Sequence, residues 1–231
     1  MQIVFTLIEA VNPEQSFLSF MKITIIYDNV AWDTRLEADW GFACLVEASG
    51  KTILFDTGAK GNILLGNMEK LGIDPGKVDE IFISHSHWDH VGGISDFLIK
   101  NPVKVYIPAS CPNRGFAGQG IRIKEALRIH KNIFSTGELG GIEQSLVIKQ
   151  NDNISVIAGC SHPGVREILK AASVHGKVNT IIGGLHGFDE FDLIDNIEMI
   201  CPVHCTQYIQ KIKALYPEKY MEGGAGRVIQ L

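Results

Sequence analysis

Short apolar runs separated by turn residues set the pattern of this chain. Lys22–Tyr27, Phe42–Glu47 and Thr52–Phe55 are rich in Ile, Val and Phe and read as strands, with Ser49-Gly50 turning between the last two. Ile81-Phe82-Ile83, Val103–Ile107, Ser145–Ile148, Ile154–Ala158, Asn179–Ile182 and Arg227–Leu231 continue the series, and Asn151-Asp152-Asn153 supplies a further turn. Helical spacing is rarer. Asn62–Leu71 carries Ile63, Leu64, Leu65, Met68 and Leu71 on one face and stops at Gly72. Ile94–Ile99 and Gly164–Val174 read as helices, the latter closed by Gly176, and Thr206 is placed to cap a helix through Leu215, ended by Pro217. Glu125–His130 also reads as helical. The pattern predicts one α/β domain over residues 21–231, with strand-rich halves and no repeat.

Met1–Phe20 stands apart. It is apolar but lacks a basic start and is broken by Glu9, Asn12, Pro13 and Glu14, so it reads as an extension outside the main fold and not as a secretory signal.

Composition narrows the class. With 45% hydrophobic and 20% charged residues, the chain can bury a sizeable core, which excludes an intrinsically disordered protein. A net charge of −5 with no basic block argues against nucleic-acid binding, which needs Lys and Arg to displace counterions. No apolar run approaches the length of about 18 residues that a membrane span requires. Five cysteines, an odd number in a chain of this size, favour free thiols and a cytoplasmic setting.

The eight histidines are concentrated where chemistry is expected. Ser84-His85-Ser86-His87-Trp88-Asp89-His90-Val91-Gly92-Gly93 directly follows the strand at Ile81–Ile83. In extended chain residues i and i+2 face the same way, so His85 and His87 can converge on one ion. Asp89 and His90 lie where the chain turns and can face a second ion, and Gly92-Gly93 is expected to let the backbone turn tightly. Such donors suit zinc, or iron and manganese. His162, His186 and His204 each end an apolar strand-like run, and in α/β folds sites assemble at the C-terminal ends of strands. His130 and His175, at the ends of helical stretches, are read as structural.

The H-x-H-x-D-H signature followed by V-G-G, downstream of Leu54-Phe55-Asp56-Thr57-Gly58, resembles the metallo-β-lactamase superfamily. That resemblance implies a four-layer αββα sandwich with one or two divalent metal ions at one edge of the paired sheets. It assigns His85, His87, Asp89, His90, His162 and His204 as metal ligands and Asp56 as a supporting carboxylate. Where the flavodiiron branch carries Glu this chain has His87, which favours the hydrolytic branches. Gly159-Cys160-Ser161-His162-Pro163-Gly164, Gly183-Gly184-Leu185-His186 and Pro202-Val203-His204-Cys205-Thr206 resemble a branch related to dihydropterin-ribofuranosylaminobenzene-phosphate synthase. One departure stands out: most relatives place a bridging Asp at the fourth motif, and this chain has none there. Either His186 or Cys160 substitutes, or the second ion binds weakly. His186 is expected at the site as a terminal ligand or as a proton donor, and Cys160 beside it.

The expected activity is metal-dependent hydrolysis of an ester, lactone, amide or phosphoester in a small, anionic substrate. Divalent ions, zinc foremost, would lower the pKa of a bound water, and Asp89 can pass its proton to the leaving group. Glycine-rich stretches at Gly115–Gly120, Gly137–Gly141 and Gly223–Gly226 could offer amides to an anion, although plain loops are the simpler reading. Asp56-Thr57-Gly58-Ala59 fits an aspartic-protease signature, but such a site needs two carboxylates. A non-catalytic metal-binding or sensing module is the alternative on the same fold. Cys201 and Cys205 flank His204 and read as core residues ahead of a structural thiolate site.

Overall fold

The computed structural model describes residues 21–112 and 120–231. Met1–Phe20 and most of the Gly115–Gly120 stretch lie outside the described residues, so neither expectation meets a structural observation.

The chain lays down β1 (Lys22–Tyr27), β2 (Ala43–Ala48), β3 (Lys51–Phe55) and α1 (Gly61–Lys70) before β4 (Glu80–Phe82). Two helices follow, α2 (Trp88–Val91) and α3 (Ile94–Lys100), and then β5 (Lys104–Pro108) and β6 (Gly120–Ile123). The second half runs β7 (Leu127–His130), β8 (Ile133–Ser135), β9 (Leu146–Gln150), β10 (Asn153–Ala158), α4 (Val165–Ala172) and β11 (Lys177–Gly184). It closes with β12 (Met199–Val203), α5 (Ile209–Leu215) and β13 (Val228–Gln230).

The strands form two sheets, one of seven in the order β13-β1-β2-β3-β4-β5-β6 and one of six in the order β12-β11-β10-β9-β8-β7. Strands buried on both faces explain the near-continuous apolar runs of the sequence. Alternation then sorts each strand's residues into two layers. Ile23, Ile25, Cys44, Val46, Ile53 and Phe55 face the second sheet and meet Leu146, Ile148, Ile157 and Ile182. On the outer face of the first sheet, Leu45, Leu54 and Ile81 pack against Ile63, Leu64 and Met68 of α1 and Phe97 of α3. On the outer face of the second, Val156, Ala158 and Ile181 pack against Val165 and Ile168 of α4 and Ile212 of α5. Helix, sheet, sheet, helix: this is the expected four-layer αββα sandwich.

Three local expectations need correction. Glu125–His130 is not helical, because Leu127–His130 pairs antiparallel with Ile133–Ser135. His130 nonetheless has a structural role, with Nε2 2.6 Å from Glu80 Oε2, and His175 ends a helical turn stacked on Phe134 at 4.0 Å. Thr206 does not cap α5. Its hydroxyl accepts from Leu185 N and donates to Val203 O, and the helix begins only at Ile209. Finally, Gly92 and Gly93 have ordinary negative φ angles of −63° and −84°, so the turn does not need glycine. Close approach does: a Cβ on Gly92 would stand 2.0 Å from Ala59 O, and one on Gly93 2.4 Å from Thr57 O. The loop after β3 and the histidine-bearing α2 are thereby pressed together.

Candidate metal centre

All six expected ligands come together at one edge of the sandwich. His85 and His87 follow β4, His90 lies on α2, His162 follows β10 and His204 follows β12. His85, His87 and His162 form one group of three donors and Asp89, His90 and His204 another, the donors of each lying within 4.8 Å of one another. His85 Nε2 is 3.1 Å from His87 Nδ1, and His90 Nε2 is 3.2 Å from His204 Nε2. Asp89 Oδ2 is 3.3 Å from His204 Nε2.

Hydrogen bonds on the far side of each ring set which nitrogen faces inward. Asp56, fully buried, accepts from Ser84 N and Ser84 Oγ at 2.7 Å each and from His90 Nδ1 at 2.7 Å. With its own proton committed to Asp56, the Ser84 hydroxyl accepts from His85 Nδ1 at 2.9 Å. Asn29 Oδ1 accepts from His204 Nδ1 at 3.0 Å. His85, His90 and His204 are therefore left with Nε2 lone pairs aimed at the cluster, the orientation that outer partners impose on metal-binding imidazoles. Asp56 buried in this way also removes the aspartic-protease reading, which requires a carboxylate open to water.

Electrostatics point the same way. Burial, followed by the neighbouring imidazoles, lowers the pKa of His85, His90 and His162, so the rings are neutral and able to donate a lone pair to a cation. Burial raises Asp89, but the imidazoles of His204 and His90 beside it outweigh that and keep it ionised. His162 Nε2 is buried without a hydrogen-bond partner. A buried ring nitrogen left unpaired beside two further imidazoles fits an ion-binding role, since such a group otherwise costs about 1–3 kcal/mol. The donor set present fits divalent metal.

His186 falls in neither three-donor group. It is exposed, with its ring 5.3 Å from that of His162, at the mouth of the cluster. Cys160 is buried, with Sγ 3.2 Å from His90 Nε2. Its hydrogen bond with Cys205 raises Cys160 and draws Cys205 down to about 6. The expectation for the cysteines flanking His204 divides: Cys201 is a core residue between the sheets, whereas Cys205 joins the donor cluster.

Several residues that hold the site lie outside the sequence motifs. Glu143, fully buried, accepts from Gly159 N, Cys160 N and Ser161 N at 3.0 Å each and from His162 N at 2.9 Å. Asp28, also buried, accepts from His204 N at 2.9 Å, and burial pushes its carboxyl up to about 6. Trp40 Nε1 donates to Asp89 Oδ2 at 2.9 Å. Only Asp28 carried a signal, an acid at the end of an apolar strand. Asp56, Ser161, His186 and His204 all adopt positive φ (54°, 61°, 39° and 54°), an uncommon conformation for residues with a Cβ. Such strain gathers at functional sites, where the chain reverses sharply after a strand.

Comparison with known proteins agrees with this geometry. Residues 41–125 match the model of the metallo-beta-lactamase superfamily. The 7,8-dihydropterin-6-methyl-4-(beta-D-ribofuranosyl)-aminobenzene-5'-phosphate synthase of Methanocaldococcus jannaschii is 23% identical, over 90% of this chain and 95% of its own length. An uncharacterized protein of the same organism is 26% identical over 90% of this chain and 99% of its own length. Among solved structures, Tm1679, a metal-dependent hydrolase of the beta-lactamase superfamily, superposes with a TM-score of 0.74 at 24% identity, covering 91% of this chain and 99% of that one. The signature thus stands at its predicted sheet edge, within the fold of that solved structure, and the segment 41–125 that holds it matches the metallo-beta-lactamase superfamily.

Proposed function

We propose that this protein is a metal-dependent hydrolase that cleaves an ester, lactone, amide or phosphoester bond in a small, anionic substrate. The observation that carries the reading is the pair of three-donor groups, His85/His87/His162 and Asp89/His90/His204, side by side at one sheet edge. When bound, one or two divalent ions, zinc foremost, lower the pKa of a water toward neutrality and offset charge on the substrate oxygen.

The chain's own residues do the rest. Asp56 fixes His90 directly and His85 through Ser84, so that both present Nε2 without reorganisation. Asn29 does the same for His204. Asp89, ionised and buried at the floor of the cluster, accepts a proton and passes it to the leaving group. His186, exposed beside His162, serves as proton donor to substrate in this reading, not as a ligand. The five free cysteines support a reducing, cytoplasmic setting.

Protein purified without chelator should carry divalent metal by elemental analysis. With that metal it should turn over at least one member of a panel of esters, lactones, amides and phosphodiesters. The M. jannaschii relative is named a synthase, so the panel should include a dihydropterin with a ribofuranosylaminobenzene phosphate. Metal bound with no turnover on any member would favour a binding or sensing module, the reading suggested by the absence of a carboxylate at the fourth motif. Absence of bound metal would overturn both.

A further inference from the structure

The cluster holds a thiol that the hydrolytic reading leaves unused. Cys160 follows β10 on the loop that delivers His162, and its sulfur belongs to two further donor groups, one with His85 and His90, the other with His204 and Cys205. It thus lies near His85 of the three-histidine group and near His90 and His204 of the aspartate-histidine group. The other buried cysteines behave differently. Cys44 and Cys201 lie in the apolar layer between the sheets and Cys111 in the layer beneath the helices of the first sheet, whereas Cys160 has an imidazole nitrogen at 3.2 Å.

The separations around His90 and His204 come close to those of a four-coordinate site. Around a tetrahedral ion with ligand bonds of about 2.0–2.3 Å, neighbouring donors stand roughly 3.3–3.7 Å apart. Here His90 Nε2 to His204 Nε2 is 3.2 Å, His204 Nε2 to Asp89 Oδ2 is 3.3 Å, His90 Nε2 to Asp89 Oδ2 is 3.9 Å and His90 Nε2 to Cys160 Sγ is 3.2 Å. Asp89, His90 and His204 alone would bring a single negative charge to a dication. A thiolate brings the second, in a buried position where an unbalanced charge is costly.

We propose that Cys160 is a thiolate ligand of the ion held by Asp89, His90 and His204, supplying the anionic donor that no carboxylate supplies at the fourth motif. The proposal rests on the two-ion hydrolase reading of this cluster. A coordinating thiol is deprotonated outright by the ion, so binding releases one proton to solvent. A soft sulfur donor also selects zinc or ferrous iron over manganese and magnesium at this position.

X-ray absorption of the full chain loaded with two equivalents of zinc is the test. A sulfur scatterer at about 2.3 Å is expected in the wild type. It should vanish in Cys160→Ser and persist in Cys205→Ser. With Co(II) in place of zinc, a sulfur-to-metal charge-transfer band should follow the same pattern. Cys160→Ser should weaken one of the two zinc ions by about tenfold or more while leaving the other unchanged. Two bound ions without sulfur in the wild type would overturn the proposal and leave the hydrolase reading standing. Loss of the sulfur signal only in Cys205→Ser would give the role to Cys205 and overturn it equally. Failure of the wild type to bind any ion would instead overturn the hydrolase reading. Should Cys160→Ser not fold, the wild-type and Cys205→Ser spectra decide the matter.

Discussion

Glu143 Oε2 accepts the backbone N–H of His162 at 2.9 Å, while its Oε1 gathers the three preceding N–H groups of the same loop at 3.0 Å each. Asp56 does likewise for the loop of His85, through Ser84 N, and Asp28 for that of His204. The three loops that carry His85, His162 and His204 after their strands are thus each tied by a buried carboxylate. A buried charge without such donors is strongly unfavourable, so the acid and the loop geometry require each other. The loops are ordered by hydrogen bonds independent of the ions.

Replacing Glu143 with Gln tests this tie. The amide keeps one acceptor but turns an NH2 toward backbone N–H groups, leaving at least one donor unpaired. A loss of about 1–3 kcal/mol in urea unfolding is expected. Binding of the ion at His85/His87/His162 should weaken in the same variant, measured by calorimetry. Unchanged stability and affinity would show that the loop is held by something else.

Trp40 reports on the other group. Its Nε1–H binds Asp89 Oδ2, and its ring meets that of His204 edge-on at 5.3 Å. Trp40→Phe should weaken one ion by about 10–100-fold without changing the circular dichroism spectrum. The fluorescence change that metal produces in the wild type should shrink in this variant. A full response retained in Trp40→Phe would place the reporter at Trp32 or Trp88.

Gly92→Ala would put a Cβ 2.0 Å from Ala59 O, against backbone that has little room to yield. We expect a cost of about 1–3 kcal/mol, typical of overpacking, and displacement of the turn carrying Asp89 and His90. Loss of one metal equivalent by elemental analysis would accompany it. If glycine served only the turn, alanine at φ −63° would be harmless.

His85→Ala should remove one metal equivalent and abolish turnover while preserving the far-ultraviolet circular dichroism. His85 sits outside all three apolar layers that hold the sheets and helices together. An unfolded apo protein or variant would mean that the ions are structural.

The sequence by itself determined the layered sheets and the position of the ligands along the chain. Strands buried on both faces, such as Leu54 between Ile53 and Phe55, announce themselves as apolar runs, and His85, His87, Asp89 and His90 lie within six residues of one another. Short edge strands carry no such mark: Leu127-Arg128-Ile129-His130 buries too little for its alternation to stand out, and its pattern suits a helix equally well. The fold alone decided the rest. Asp28 meets His204 across 176 positions, Trp40 meets Asp89 across 49 and Glu143 meets His162 across 19. Thr206, a plausible cap by its type, is drawn instead to Leu185 and Val203. Hydropathy and motif spacing are local properties of a chain. Pairing a buried carboxylate with a distant backbone N–H depends on which loops two packed sheets bring to one edge, and no local pattern encodes that.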